Sequence, residues 1–380
     1  MKLINILRTI KKNFSNYRPS VEVLISRKNL LHNLNAYQEK YPEISFAPVL
    51  KSNAYGHGLI EVGRILEKER VAFFVLDSLF EANALRQDGI QTPVLVIGYV
   101  SPENIFGSRL SNVAFTITSL EQLREIAEGL KKRKTFHIKI DTGMHRQGIL
   151  PREIESAMEI IASNKFINLE GVCSHLADAD DEDESFTKLQ IKQWQNVVES
   201  FKRNFENIKF FHLSATAGTQ YAQQAFCNVG RLGLGLYGIN TAPLAKLDLK
   251  PVLQMRSVIS SVKTIPAGEY VGYNNTYKTE TERKIATVPV GYFEGVDRRL
   301  SNVGFFTVGD KACPIVGRVS MNITSIDVTG VPEVKLGDLV VVLGNEPEKE
   351  NSVENMAKMA NTIPYEILVH IPQHLRRVVE

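Results

Sequence analysis

SFAPVLKSNAYGHGLIEVGRILEKE, residues 45–69, reads as a strand, a tight turn and a helix in immediate succession. The apolar run SFAPVL ends at one lysine, Lys51, and the Gly-His-Gly turn at 56–58 hands over to the helical stretch from Leu59. Glycine allows backbone angles that other residues resist, so the turn is sharp, and it lets a phosphate come close at a helix start. Burial disfavours the charged form of a lysine. Imine formation is the chemistry that uses such an amine. The plain alternative is a surface lysine ahead of an ordinary strand-to-helix loop, and this stretch alone does not separate the two.

The same unit recurs on both sides. VEVLIS (21–26) precedes a helical pattern from Lys28 to Lys40, VAFFVLD precedes LFEANALRQD (79–88), and PVLVIGY follows. VAFTITS leads into a helix opened by SLEQ, a capping box of Ser119 and Gln122. FHIKIDTG (136–143) precedes a helix near 151–163, and LEGVCSH (169–175) a long one at about 185–205. FFHLSATAG (210–218) and FCNVGRLGLGLYG (226–238) complete the series. Strands alternating with helices imply a parallel sheet. About eight strand candidates in about 230 residues predict an α/β fold, a TIM (β/α)8 barrel. From about residue 253 the pattern changes to short β-rich runs such as SVISSVKTI, KIATVPVGY, ACPIVGRV and LVVVLG. These predict a second, mainly antiparallel β domain. The expected organisation is a basic extension at 1–19, a barrel at 20–252 and a β domain at 253–380. No low-complexity linker separates the two domains, so they are expected to pack together.

Composition narrows the function. A net charge of +3 on 380 residues gives no general attraction to nucleic acid or anionic membrane. Cys173, Cys227 and Cys313 lie far apart with no CxxC pair, which argues against a disulfide framework or a zinc site and fits a reducing cytosol. No apolar run approaches the roughly 18 residues of a membrane span. Residues 1–18 carry Lys2, Arg8, Lys11, Lys12 and Arg18 with no acid. That stretch reads as a solvated helical extension, with a membrane-surface or transit segment as the alternative.

Reacting groups of a barrel enzyme sit at the C-terminal ends of its strands. Lys51, KIDTGMHRQG (139–148), CSHLADAD (173–180), HLSATAG (212–218) and VGRLGLGLYG (229–238) all fall at such ends. From about residue 20 onward the chain resembles the alanine racemases, pyridoxal-phosphate enzymes with a barrel and a C-terminal β domain. KSNAYGHG is similar to that family's cofactor-lysine signature. KIDTGMHRQG, GRLGLGLYG, GYNNTY and GRVSMN match further family motifs in the same order.

The resemblance implies an enzyme that interconverts L- and D-alanine and supplies D-alanine for peptidoglycan from the cytoplasm. Lys51 would bind the cofactor and act as one acid/base group; Tyr273 would act on the opposite face, because racemisation removes a proton on one side and returns one on the other. A tyrosine near pKa 10 is a poor base unless positive neighbours or hydrogen bonds lower it. The equivalents of His175 and Arg231 supply these in the family. Arg231 would face the pyridine nitrogen with His212 in support, though a surface ion pair and a core histidine are the plain readings of those two residues. Arg146 would bind the substrate carboxylate. Lys139 matches a position carbamylated in many relatives, or pairs with an acid. Tyr55, Thr216, the backbone of Gly233 and Leu234, and Tyr365 would hold the phosphate. Tyr292 and Met321 would line the substrate entrance from the partner subunit of a head-to-tail homodimer, and no metal is implied.

The chain departs from the family at Ala215-Thr216 in place of Asn-Ser, at Glu294 and Asn322 in place of aspartates, and at its QHLRRVVE ending. These bear on substrate preference, with serine the competitor to alanine. A cofactor carrier resembles only the barrel half. A two-domain decarboxylase would need a cysteine-aspartate pair where this chain offers Ser320 and Asn322.

Overall fold

A computed structural model describes residues 19–242 and 247–380. Residues 1–18, most of the basic extension, lie outside the described residues. The chain enters through β1 (Glu22–Ile25) and α1 (Arg27–Lys40), the helix opened by the Ser26 hydroxyl accepting the Asn29 amide at 3.2 Å.

Eight parallel strands then follow: β2 (Ser45–Pro48), β3 (Phe74–Leu76), β4 (Val94–Val96), β5 (Val113–Ile117), β6 (Lys134–Lys139), β7 (Ile167–Cys173), β8 (Phe210–His212) and β9 (Val229–Leu232). Strands β3 to β8 form one sheet in sequence order, and β2 pairs with β9. Backbone bonds join the two pieces on both sides. Leu50 donates to the Val75 carbonyl at 2.9 Å and Ala72 to Phe46 at 2.7 Å. At the other junction Asn228 donates to Phe211 at 3.1 Å and Arg231 to Ser214 at 3.0 Å. The circle therefore closes as a barrel, whose β3 and β4 strands are buried at every residue, as sheets covered on both faces are.

The helices between these strands are α2 (Leu59–Leu66), α3 (Leu79–Gln87), α4 (Pro102–Gly107), α5 (Leu120–Gly129), α6 (Ile154–Ser163) and α7 (Ser185–Asn204). In α7 the buried Ile191, Trp194, Val198 and Phe201 recur at three- and four-residue steps, the stripe of a helix laid on a sheet. The expected capping box at Ser119 forms only in half. Ser119 accepts the Gln122 amide at 3.1 Å, but the Gln122 carbonyl oxygen takes the amide of Thr118 instead, because its own amide group reaches across to Val100. A complete box is built at α3 by Ser78 and Glu81.

After β9 the chain builds the second domain: β10 (Leu253–Val258), β11 (Ser261–Ile265), β12 (Tyr270–Val271), β13 (Tyr277–Lys278), β14 (Arg283–Val288), β15 (Phe305–Val308), β16 (Lys311–Pro314), β17 (Thr324–Asp327), β18 (Leu339–Leu343), α8 (Val353–Met359), α9 (Pro364–Val369) and β19 (Arg376–Val379). Its larger sheet runs β16-β15-β18-β10-β1-β19, antiparallel except at β1/β19. This corrects the reading of VEVLIS as the first unit of the barrel. Val23 sits opposite Met255 and Leu24 opposite Val378, so the chain begins in the β domain. The four residues of β1 carry no mark of which sheet they join. The C-terminal ending, which departs from the family pattern, completes this sheet as its edge strand.

Candidate active site

Lys51 leaves the end of β2 at the start of an unusual turn. Ser52, Asn53, Ala54 and Tyr55 all lie in the left-handed region, with φ of 55°, 57°, 52° and 50°. Each such residue costs about 1–2 kcal/mol, so the turn persists only because its surroundings fix it. Glu81 Oε1 accepts the Ser52 amide at 2.7 Å, Asn53 Oδ1 accepts the Leu59 amide at 2.9 Å, and the buried His57 ring meets the carbonyls of Ala54 and Tyr55 at 3.0 and 2.9 Å. Arg377 of β19 donates twice to the Gly56 carbonyl, at 2.9 and 3.2 Å. The first glycine of the turn is packed against protein: a Cβ on Gly56 would lie 2.1 Å from the Leu368 carbonyl, so that glycine serves the close approach of α9. Nor is Lys51 buried. Its side chain is 34% exposed and Nζ lies 4.0 Å from Asp77 Oδ1, because the turn swings it into an open cavity.

That cavity, of about 490 Å³, is lined by Lys51, Tyr55, Lys139, Arg146, His175, His212, Thr216, Arg231, Gly233 and Tyr365 among others. All but Tyr365, which comes from α9, are offered by the barrel strands and the loops that follow them. Arg231 on β9 is the best-held side chain in it. Its terminal nitrogens donate to the carbonyls of His212 (2.7 Å), Ser174 (2.8 Å) and Leu213 (2.9 Å), and to Nδ1 of His212 (2.7 Å) and of His175 (3.0 Å). A guanidinium only donates, so both imidazoles present a bare nitrogen to it. Burial and then the charge of Arg231 push His175 down to about 3, which keeps it neutral.

Thr216 Oγ1 accepts the amides of Gly233 and Gly235 at 3.1 and 3.2 Å. A Cβ on Gly233 would stand 3.2 Å from the Tyr55 hydroxyl and 3.7 Å from Thr216 Oγ1, so the missing side chain leaves room beside two hydroxyls. Tyr55 is steadied by Tyr237 and Tyr365, each with its ring centroid 5.4 Å away. Burial lowers the Lys139 amine below its ordinary value. Among the described residues neither its ammonium nor the Arg146 guanidinium has a hydrogen-bond or ion-pair partner, so no acid pairs with Lys139.

Four of the sequence-predicted residues lie elsewhere. The Leu234 side chain is buried and does not line the cavity, which leaves only its backbone amide beside Gly233, while Tyr273, Tyr292 and Met321 stand exposed on the β domain, Tyr273 at 68%. Asp77 and Glu81 were not singled out by sequence. Asp77 ends the run VAFFVLD, a polar residue at a strand end, which was an available signal; nothing local in the sequence marks the reach of Glu81 to Ser52. The two unusual residues Glu294 and Asn322 meet each other, Asn322 Nδ2 donating to Glu294 Oε1 at 2.7 Å. Glu294 Oε2 also accepts the Gly291 amide at 2.8 Å.

Comparison with known proteins places this architecture. The alanine racemase N-terminal domain matches residues 25–241 and the alanine racemase C-terminal domain matches residues 252–379. The chain is 35% identical over 360 residues to the alanine racemase of Carboxydothermus hydrogenoformans, covering 93% of this chain and 98% of that one. It is similar to the solved alanine racemase of Clostridium difficile 630, with TM-score 0.88 and 30% identity over 96% of this chain and 97% of that one. The alanine racemase of Bacillus anthracis, solved with bound L-Ala-P, gives TM-score 0.88 and 30% identity over 96% of both chains. Two domain matches that together run from residue 25 to 379, and relatives matched along nearly their whole length, show that the chain belongs to the alanine racemase family.

Proposed function

We propose that the chain interconverts L- and D-alanine with pyridoxal phosphate bound through Lys51, and that Lys51 and Tyr273 are its two acid/base groups. The observation that carries this reading is one cavity holding a lysine amine, a buried guanidinium and a hydroxyl-lined cradle at Gly233. Those donors suit the group: an amine for its aldehyde, Arg231 for its ring nitrogen, and Tyr55, Thr216, Tyr365 and the amides of Gly233 and Leu234 for its phosphate. When bound, pyridoxal phosphate draws electrons from the substrate's Cα–H bond and makes that proton acidic.

The side chains then divide the work. Lys51 Nζ moves the proton on one face of the α-carbon and Tyr273 Oη on the other. Arg231 would stay charged and donate to the ring nitrogen, which would limit electron withdrawal and so restrain side reactions such as transamination. His175 and Arg231 lower the cost of an ionised phenol at Tyr273. Arg146 takes the substrate carboxylate. Lys139, with its lowered amine, is suited to carbamylation, which would give Arg146 an oriented anionic neighbour.

The exposure of Tyr273, Tyr292 and Met321, none of which lines the cavity of its own chain, supports a head-to-tail homodimer in which Tyr273 of the partner subunit completes each site. Among the described residues no helix is long and apolar enough to cross a membrane, and all three cysteines are free and buried, which suits a reducing cytoplasm. Supplying D-alanine for peptidoglycan is the role that follows from this activity.

The test is to supply L-alanine and pyridoxal phosphate to the purified protein and to its Lys51→Ala variant. The wild type should form D-alanine to an even mixture and show the absorbance of a lysine-bound cofactor, and the variant should lack both. A cofactor spectrum unchanged in Lys51→Ala would place the binding lysine elsewhere. A bound cofactor with no D-alanine formed would leave a carrier.

A further inference from the structure

The ring of His212, which meets Arg231, is backed on its other side by a second buried histidine. His212 Nε2 lies 2.8 Å from His137 Nδ1, and both residues are essentially sealed from solvent. The hydrogen positions in this pair follow from the arginine. Arg231 can only donate, so His212 Nδ1 accepts and the proton of neutral His212 sits on Nε2. That proton points at His137 Nδ1, which must accept in turn, so the proton of His137 sits on its own Nε2. Among the described residues His137 Nε2 has no hydrogen-bond partner, and Glu170 Oε2 stands 3.7 Å from it.

The backbone is shaped for this arrangement. Phe136 pairs with Leu169 and His137 with Gly171, so Glu170 is the extra residue of a β-bulge in β7. Bulges re-aim a side chain, and this one stands beside a barrel histidine. A Cβ on Gly171 would lie 2.5 Å from His137 Nδ1, so glycine is needed for the imidazole to lie where it does. The far oxygen of Glu170 is 3.3 Å from Lys209 Nζ, at the wall of a separate cavity of about 270 Å³ near the strand starts.

We propose that Glu170 and His137 are positioning residues for Arg231: His137 and His212 form a one-way hydrogen-bond relay that fixes which nitrogen of His212 faces the guanidinium, and the Glu170 carboxylate, 3.7 Å from His137 Nε2, favours the proton on that nitrogen by its charge. The role assigned to the relay's output, an arginine held against the cofactor ring, rests on the reading given under Proposed function; the relay itself does not. Burial lowers both histidines below their ordinary value and His212 well below it, consistent with two neutral rings.

The experiment is nitrogen-15 NMR of histidine-labelled protein without cofactor, assigned with His137→Gln and His212→Gln variants, alongside kinetics of the loaded enzyme. Wild type should show both rings as neutral Nε2–H tautomers from pH 6 to 8. Glu170→Ala should move His137 toward the Nδ1–H form, and Glu170→Gln, which keeps an oxygen dipole but loses the charge, should fall between. In the loaded enzyme Glu170→Ala should lower kcat by about five- to ten-fold, the weight of one partly buried charge contact, with KM for alanine within about two-fold. A wild-type His212 carrying its proton on Nδ1, or a charged ring, overturns the relay whatever the activity. Unchanged tautomers and kcat in Glu170→Ala overturn the role of Glu170. Correct tautomers in a protein that does not bind pyridoxal phosphate would keep the relay and reject the cofactor reading.

Discussion

Replacing Glu81 with alanine should loosen the lysine that the site depends on, although Glu81 lines no part of the cavity. Its carboxylate accepts three backbone amides: Ser52 at 2.7 Å, Asp77 at 2.8 Å and Ser78 at 3.3 Å. Hydrogen bonds to a charged acceptor contribute about 1.5–3 kcal/mol each when buried, and less here because water replaces part of each. Glu81→Ala therefore costs roughly 2–4 kcal/mol in total, including the lost helix cap. The left-handed turn it anchors stores a strain of roughly 4–8 kcal/mol over four residues, so part of the loss appears as rearrangement at Lys51. Denaturant unfolding at fixed protein concentration reads the stability, and absorbance titration of the cofactor-free protein reads affinity for pyridoxal phosphate. Affinity should fall about ten-fold or more, the equivalent of 1.4 kcal/mol. Glu81→Gln, with one acceptor oxygen left, should fall between. Stability within about 0.5 kcal/mol of wild type and unchanged cofactor affinity in Glu81→Ala would refute the reasoning.

Other outcomes follow from particular contacts. Tyr273→Phe should keep the cofactor spectrum and lose racemisation by at least about 100-fold, the lower range of one acid/base group; full activity would remove Tyr273 from the chemistry. Asn322→Asp sets a second carboxylate against Glu294 and should cost about 1–3 kcal/mol at pH 8, an effect that shrinks by pH 5 as the pair shares a proton; equal melting temperatures at both pH values would show that the contact carries no weight. His57 and His175 are held neutral by burial, pushed from 6.5 to about 4 and about 3. The unfolded chain takes up their protons below about pH 6.5 while the folded chain does not, so each removes about 1.4 kcal/mol of stability per pH unit from there down toward pH 4. Unfolding free energies that stay flat from pH 7 to 5 would contradict this.

The barrel was legible because burial on both faces writes long apolar strands, and because each strand end announces itself with polar residues, as at Lys51, Cys173-Ser174-His175 and Arg231. Strand β1 was misplaced because pairing partners more than 200 residues away leave no local trace in four apolar residues. The same holds for contacts that cross the fold: the reach of Glu81 to Ser52, the meeting of Glu294 with Asn322, and the hydrogen bond between His137 and His212. Read singly, Glu294 and Asn322 are two departures; in space they are one paired change. The glycine turn at 56–58 reads as open to a phosphate because tight turns and phosphate loops share a composition. Only the packing of Leu368 on Gly56 and the opening at Gly233 tell them apart.

The central claim is that two groups work on opposite faces of one substrate carbon, and solvent exchange of the α-proton tests it most directly. The protein is loaded with pyridoxal phosphate in heavy water, given L-alanine and, separately, L-serine, and followed by proton NMR with chiral analysis of the product. The account predicts loss of the alanine α-proton signal together with D-alanine bearing solvent deuterium at Cα. Exchange with retention, so that deuterated L-alanine accumulates and no D-alanine forms, would mean that only one face is served and would contradict the pairing of Lys51 with Tyr273.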